Sequence, residues 1–213
     1  MMRTRVSGAL VVSVAALALV ATSQASAAGE AQAPAAGVRQ TVSGTGAAVP
    51  SLRPIREAVI VTLTHSGASN FIVNPVSADG DEGYLWANEI GDWTGTIFQA
   101  KESVAIVAAS VEADGPWTIR IAPLAAAPVV NPRSYAGSGS AVVKFRVASQ
   151  GFKRITLTHD GEANFIVHPI ESNGSEGYLL VNEIGRYEGT KVLPKGTRYL
   201  SVVADGDWTI KVS

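Results

Sequence analysis

Residues 61–96 read VTLTHSGASNFIVNPVSADGDEGYLWANEIGDWTGT, and residues 155–190 read ITLTHDGEANFIVHPIESNGSEGYLLVNEIGRYEGT. Aligned without gaps, 94 positions apart, the two stretches agree at 21 of 36 positions. The chain is therefore one small domain written twice. Duplicated cores must each still pack, whereas duplicated reaction centres usually decay, so the likeness speaks first for architecture.

Within each copy, short β-rich runs are broken by Gly, Asn, Asp or Pro, and no stretch of helical apolar period is long enough to compete. Strands are expected near residues 58–64, 70–76, 84–89, 94–99, 103–109 and 117–121. The second copy repeats them near 152–158, 164–170, 178–183, 188–193, 198–204 and 208–212, preceded by 141–147. Ile155 and Leu157 alternate with Thr156 and Thr158, and Trp208, Ile210 and Val212 alternate with Thr209 and Lys211, so one face is core and the other wet. Phe71-Ile72-Val73 and Phe165-Ile166-Val167 are apolar without a break, which predicts a strand covered on both sides or at a domain interface. Pro75 and Pro169 are expected to end that pairing. Asp79-Gly80 and Asn173-Gly174 supply tight turns, and Asp114-Gly115 and Asp205-Gly206 do so before the last strands. The fold class is all-β: two tandem small antiparallel β-sandwich domains, jelly-roll-like, after a signal peptide.

Arg3 and Arg5, the apolar run 6–21 and the small residues Ala25-Ser26-Ala27 read as an export signal over residues 1–27. Residues 28–42, poor in large apolar side chains, read as a flexible leader. The first repeat is expected over 43–121, a connector stiffened by Pro123, Pro128 and Pro132 over 122–137, and the second repeat over 138–213. The expected location is secreted, extracellular or cell-wall associated, with no membrane span in the mature chain. Loss of the signal takes the formal charge from −1 to −3, which offers nothing to nucleic acid or an anionic membrane. With no cysteine, disulfide staples and thiol chemistry are excluded.

The pattern His-[Ser/Asp]-Gly-x-x-Asn-Phe, then Asn-Glu-Ile-Gly, Gly-Thr and Asp-Gly-x-Trp-Thr-Ile stands at 65–71, 88–91, 95–96 and 114–119, and again at 159–165, 182–185, 189–190 and 205–210. It resembles a tandem-repeat β-sandwich domain of uncharacterised secreted actinobacterial proteins. The ending, Leu193-Pro-Lys-Gly-Thr197 followed by Tyr199, Val202 and residues 208–212, is also similar to the β-sandwich modules appended to secreted bacterial peptidases. That resemblance implies an ancillary binding or chaperoning domain, and neither family supplies catalytic residues to carry over.

Candidate chemistry is sparse. His65 and His159 occupy equivalent strand ends, and with no dense ligand cluster they read as imidazoles bonded to a neighbouring loop rather than as bases or metal ligands beside Glu89 or Glu183. Gly137-Ser-Gly-Ser-Ala141 lacks nucleophile-elbow spacing and reads as a turn entering a strand. Glu82 with Glu89, and Glu176 with Glu183, need not converge as glycosidase pairs. Asp79, Asp81 and Glu82 read as a solvated turn rather than a calcium loop. No catalytic residue, metal or cofactor is expected.

The aromatics divide in two. Trp117 and Trp208 are in phase with core isoleucines and read as structural. Tyr84, Trp86 and Trp93, with Tyr178 and Tyr187, gather along the sequence around Asn-Glu-Ile-Gly and are the candidate ligand-binding residues, because aromatics beside Asn and Glu can stack on sugars or anchor a protein. Asn88 and Asn182, in phase with apolar neighbours, are expected to point inward and lock a turn, so that Asn182→Ala would lower the melting temperature. The expected function is a secreted non-catalytic binding module contacting a cell-envelope glycan or a surface protein. The alternative is a secreted interaction or inhibitor protein acting on an extracellular hydrolase.

Overall fold

The computed structural model describes residues 38–130 and 134–213; the expected signal and most of the leader lie outside the described residues. The first copy is built from β1 (Gln40–Thr45), β2 (Ser51–Ile55), β3 (Val59–His65), β4 (Asn70–Ser77), β5 (Ala87–Ile90), β6 (Trp93–Gln99), β7 (Ile106–Glu112) and β8 (Pro116–Pro123). A 3-10 turn (Leu124–Ala126) and a two-residue strand, β9 (Val129–Val130), follow. The second copy holds β10 (Tyr135–Ser138), β11 (Ala141–Phe145), β12 (Lys153–His159), β13 (Asn164–Glu171), β14 (Val181–Ile184), β15 (Tyr187–Leu193), β16 (Thr197–Val203) and β17 (Asp207–Val212). The first strand opens at Gln40, three residues ahead of the boundary expected from composition.

Each copy is an eight-stranded jelly roll. In the first, the sheet β1-β8-β3-β6 faces the sheet β2-β7-β4-β5; in the second, β10-β17-β12-β15 faces β14-β13-β16-β11, with β9 added in parallel beside β11. The other ladders between named strands are antiparallel, and the fold class read from the sequence is the one observed. Alternation sets each interior. Val61, Leu63, Phe71, Val73 and Ile119 are fully buried in the first sandwich, as are Ile155, Leu157, Phe165, Val167 and Ile210 in the second.

The unbroken apolar triplets turn out to be covered on one side. Phe71 and Val73 are buried while Ile72 is only half-buried, on the outer face opposite Asn88; Ile166 repeats this against Asn182. Pro75 and Pro169 do not end their strands either. Pairing runs on through Pro75↔Ala109 and Pro169↔Leu200. The carbonyls of Pro75 and Pro169 accept from the N–H groups of Gly83 and Gly177, and in a strand a residue's N and O face the same side. The missing donor therefore faces the loop before β5 or β14 and costs the β7 or β16 ladder nothing.

The copies share a third apolar cluster. Ile60, Ala122, Leu124 and Ala127 of the first copy and connector pack with Val142, Ile170 and Tyr199 of the second. Thr96, on the edge strand β6, also donates its N–H to the carbonyl of Ser140 at 2.9 Å. The connector is part of this contact rather than a spacer between separate bodies.

Candidate ligand-binding loops

The shared motif builds a structural clasp at one end of each sandwich. His65, its side chain fully buried, bonds through Nδ1 to the carbonyl of Gly91 at 2.8 Å; a carbonyl only accepts, so Nδ1 carries the proton. Its Nε2 lies 3.2 Å from Oδ1 of Asp114, close enough for an ion pair but without the alignment of a hydrogen bond. Its ring stacks on Phe71 with centroids 4.7 Å apart. His159 repeats each contact with Gly185, Asp205 and Phe165. One nitrogen is spent on a carbonyl, the other lies against a carboxylate, and both side chains are sealed from solvent. They are the loop-bonded strand-end histidines that the sequence predicts.

The two aspartates tie the clasp to the preceding loop. The carboxyl of Asp114 is held below the usual carboxylate range by the N–H of Ala68, against some desolvation, with the N–H of Ser69 and the His65 imidazole adding. Asp205 feels desolvation most, yet the N–H groups of Ala163 and Glu162 and the His159 ring outweigh it and take its carboxyl lower too. Depressed carboxylates contribute stability above their unfolded value, near 3.8, that is lost as pH falls through the folded value. Glu89 is the opposite case: burial pushes its carboxyl up, and the charge of Asp205, in the other copy, adds to this.

Trp117 and Trp208 are core residues, as expected. Their Nε1–H groups donate to the carbonyls of Gly46 and Gly139 at 2.8 Å, and their indoles lie so close over Gly44 and Gly137 that a Cβ there would collide. Residues 137–141 form the turn from β10 into β11, with Gly139 at φ +64°. The Asp79 turn is organised by Ser77, whose hydroxyl donates to Asp79.

The candidate aromatics separate. Trp93 and Tyr187 are half-buried and lean on Phe71 and Phe165, closing the interior at the histidine end. Trp86 is buried, and its indole N–H donates to Oε1 of Gln99 at 2.7 Å. Gln99 ends β6 and Trp93 begins it, so the two ends lie about 20 Å apart at roughly 3.3 Å per residue. Tyr84 belongs to the Gln99 end: both border a cavity of about 240 Å³ that is also lined by Asp81, Glu82 and Glu102.

Among the five candidate aromatics, only the tyrosines of the Glu-Gly-Tyr-Leu stretch stand free. Tyr84 is 97% exposed and Tyr178 94%, each followed by a leucine that is itself exposed. The loop is held close by: Gly83 and Trp86 donate to the carbonyls of Pro75 and Val73, and Gly177 and Leu180 do the same with Pro169 and Val167. Sequence reasoning passed over Ile90 and Ile184, which are 78% and 79% exposed at the ends of β5 and β14. The signal was present, because both sit in the repeated Asn-Glu-Ile-Gly. Asn88 and Asn182 correct the expectation of an inward, turn-locking amide: both are exposed on the outer face. Their ladder partners Ile72 and Ile166 share that face, while the inward places go to Ala87 and Val181. No protein-family model matches this chain, and no curated protein matches it either.

Proposed function

We propose that this chain is an exported, non-catalytic binding module that contacts a cell-envelope glycan through the Tyr84-Leu85 and Tyr178-Leu179 loops. The observation that carries this reading is the near-complete exposure of Tyr84 and Tyr178 within a stretch, Glu-Gly-Tyr-Leu, that is identical in the two copies. A core needs neither ring at these places, so packing does not account for their repetition. An exposed tyrosine offers a flat apolar face to a sugar ring, and in the first copy the neighbouring Asp81, Glu82 and Glu102 can accept hydrogen bonds from its hydroxyls. Two such loops on one body raise avidity where both reach the same polymer.

The test is retention on insoluble cell-wall polysaccharide. The unaltered chain should be retained and the Tyr84→Ala/Tyr178→Ala variant released. Surface changes of this kind shift stability by no more than about 0.5 kcal/mol, so release would not reflect unfolding. Failure of the unaltered chain to bind any wall polymer would sink the glycan reading, and copurification with a secreted hydrolase would replace it with the inhibitor reading.

A further inference from the structure

We propose a second binding site, separate from the tyrosine loops, in the cleft between the two sandwiches. Its ligand class is a sugar-sized anion, a ring bearing a carboxylate or a phosphate. The floor is the outer face of the β1-β8-β3-β6 sheet. There Arg120 on β8, Thr62 on β3 and Thr96 on β6 stand in one ladder row, and Arg39 comes just before β1. The far wall is apolar and comes from the connector and the second copy, through Pro128 and Val142 among others. The cleft has a volume of about 480 Å³, far more than a bare oxyanion fills.

Two features make the site select for negative charge. Both arginines border the cleft with no carboxylate among its lining residues, and among the described residues neither has an ion-pair partner. In a chain of net charge −1, such a place is a local reversal of sign. A guanidinium presents a planar fork of donors that fits a carboxylate or phosphate and cannot be deprotonated. The hydroxyls of Thr62 and Thr96 lie 2.9 Å apart, so one proton is used between them and the second is free to donate to a ligand. Neighbouring strands of this sheet lie about 4.8 Å apart, so Arg120, Thr62 and Thr96 on β8, β3 and β6 span about 10 Å, the reach of a sugar ring with its charged substituent.

The second copy shows why duplication matters here. Thr156, Thr190 and Lys211 hold the places of Thr62, Thr96 and Arg120, and the two threonine hydroxyls again lie 2.9 Å apart. The wall over the first set is built by residues of the second copy and is held by the Thr96 to Ser140 bond. Tandem packing thus turns a polar sheet face into a walled anion site.

The experiment is titration of the full exported chain, followed through the amide resonances of Thr62 and Thr96, with glucuronate, glucose 6-phosphate, glucose and inorganic phosphate as separate probes. One or both charged sugars should saturate these shifts with a Kd on the order of 1 mM or tighter, and glucose should not. Arg39→Gln/Arg120→Gln should weaken that binding by about tenfold or more, as loss of charge-assisted bonds requires, and Thr62→Val should weaken it several-fold. Both arginines are exposed, so the double variant should keep the parent's melting temperature. Lys211→Gln and Tyr84→Ala/Tyr178→Ala should leave charged-sugar binding unchanged, which separates this site from the tyrosine loops. The proposal is overturned if neither charged sugar binds, if glucose binds equally, if inorganic phosphate binds as tightly as the sugar phosphate, or if the arginine variant retains full affinity.

Discussion

Nε1 of Trp86 donates to Oε1 of Gln99 across 2.7 Å of buried space, and at the equivalent places of the second copy both residues are leucine, Leu180 and Leu193. The two positions have changed together. A polar pair in one sandwich is an apolar pair in the other, which is what an indole N–H out of reach of water demands.

Gln99→Leu alone should destabilise the protein by about 1–3 kcal/mol, because it strands that N–H. Adding Trp86→Leu should recover part of this loss, with a coupling energy above about 0.5 kcal/mol in a double-mutant cycle by urea unfolding. Additive effects would show that the two side chains do not depend on one another.

Gly80 and Gly174 make a matched pair at equivalent turns, at φ +93° and +85°. A Cβ at Gly80 meets nothing within 4 Å, whereas one at Gly174 falls 2.5 Å from the Cβ of Ala58 in the other copy. Gly80→Ala should therefore cost only the conformational term, about 1 kcal/mol. Gly174→Ala should cost that plus a steric penalty of about 1–3 kcal/mol. Equal losses in thermal or urea unfolding would mean that the copies do not meet at this turn.

Glu89 supplies a pH test with a definite sign. Its folded carboxyl holds its proton more tightly than the unfolded one, near 4.5, because burial and then the charge of Asp205 oppose ionisation. As pH rises from the unfolded value to the raised folded one, the native state holds more protons than the unfolded state, so stability falls there and stays lower at neutral pH. Glu89→Gln should raise the melting temperature at pH 7, and the gain should vanish below the unfolded value, where both states are protonated. A gain that persists at acid pH would point to packing instead.

Asn182→Ala should leave stability within about 0.5 kcal/mol of the parent, since the side chain is exposed. A marked fall in melting temperature would restore the turn-locking role that the sequence suggests. The misreading has a definite cause. Asn182 and Ile184 do alternate in phase, but the phase they share is the outer one.

Much of the clasp was legible for a contrasting reason. His65, Gly67, Asp114 and Trp117 recur at matching places in the second copy because they meet one another: His65 lies against Asp114 and pairs with Trp117 in the ladder, and a Cβ on Gly67 would collide with both His65 and Asp114. The tyrosine loop was legible as a candidate, but whether its aromatics act together was not: Trp86 and Trp93 are seven residues apart in sequence and serve opposite ends of the sandwich.

By itself the sequence determined that this chain folds as two β-sandwiches and that Ile155, Leu157, Trp208 and Ile210 face the interior, because alternation along a strand is a local property set by the pleat. Only the tertiary structure decided that Trp86 is sealed in, that Ile90 and Asn88 face outward, and that Arg39 and Arg120 share a cleft with the second copy's wall. Those outcomes depend on which strand lies beside which and on how one sandwich rests on the next. Such contacts join residues far apart in the chain, where no local period carries the information.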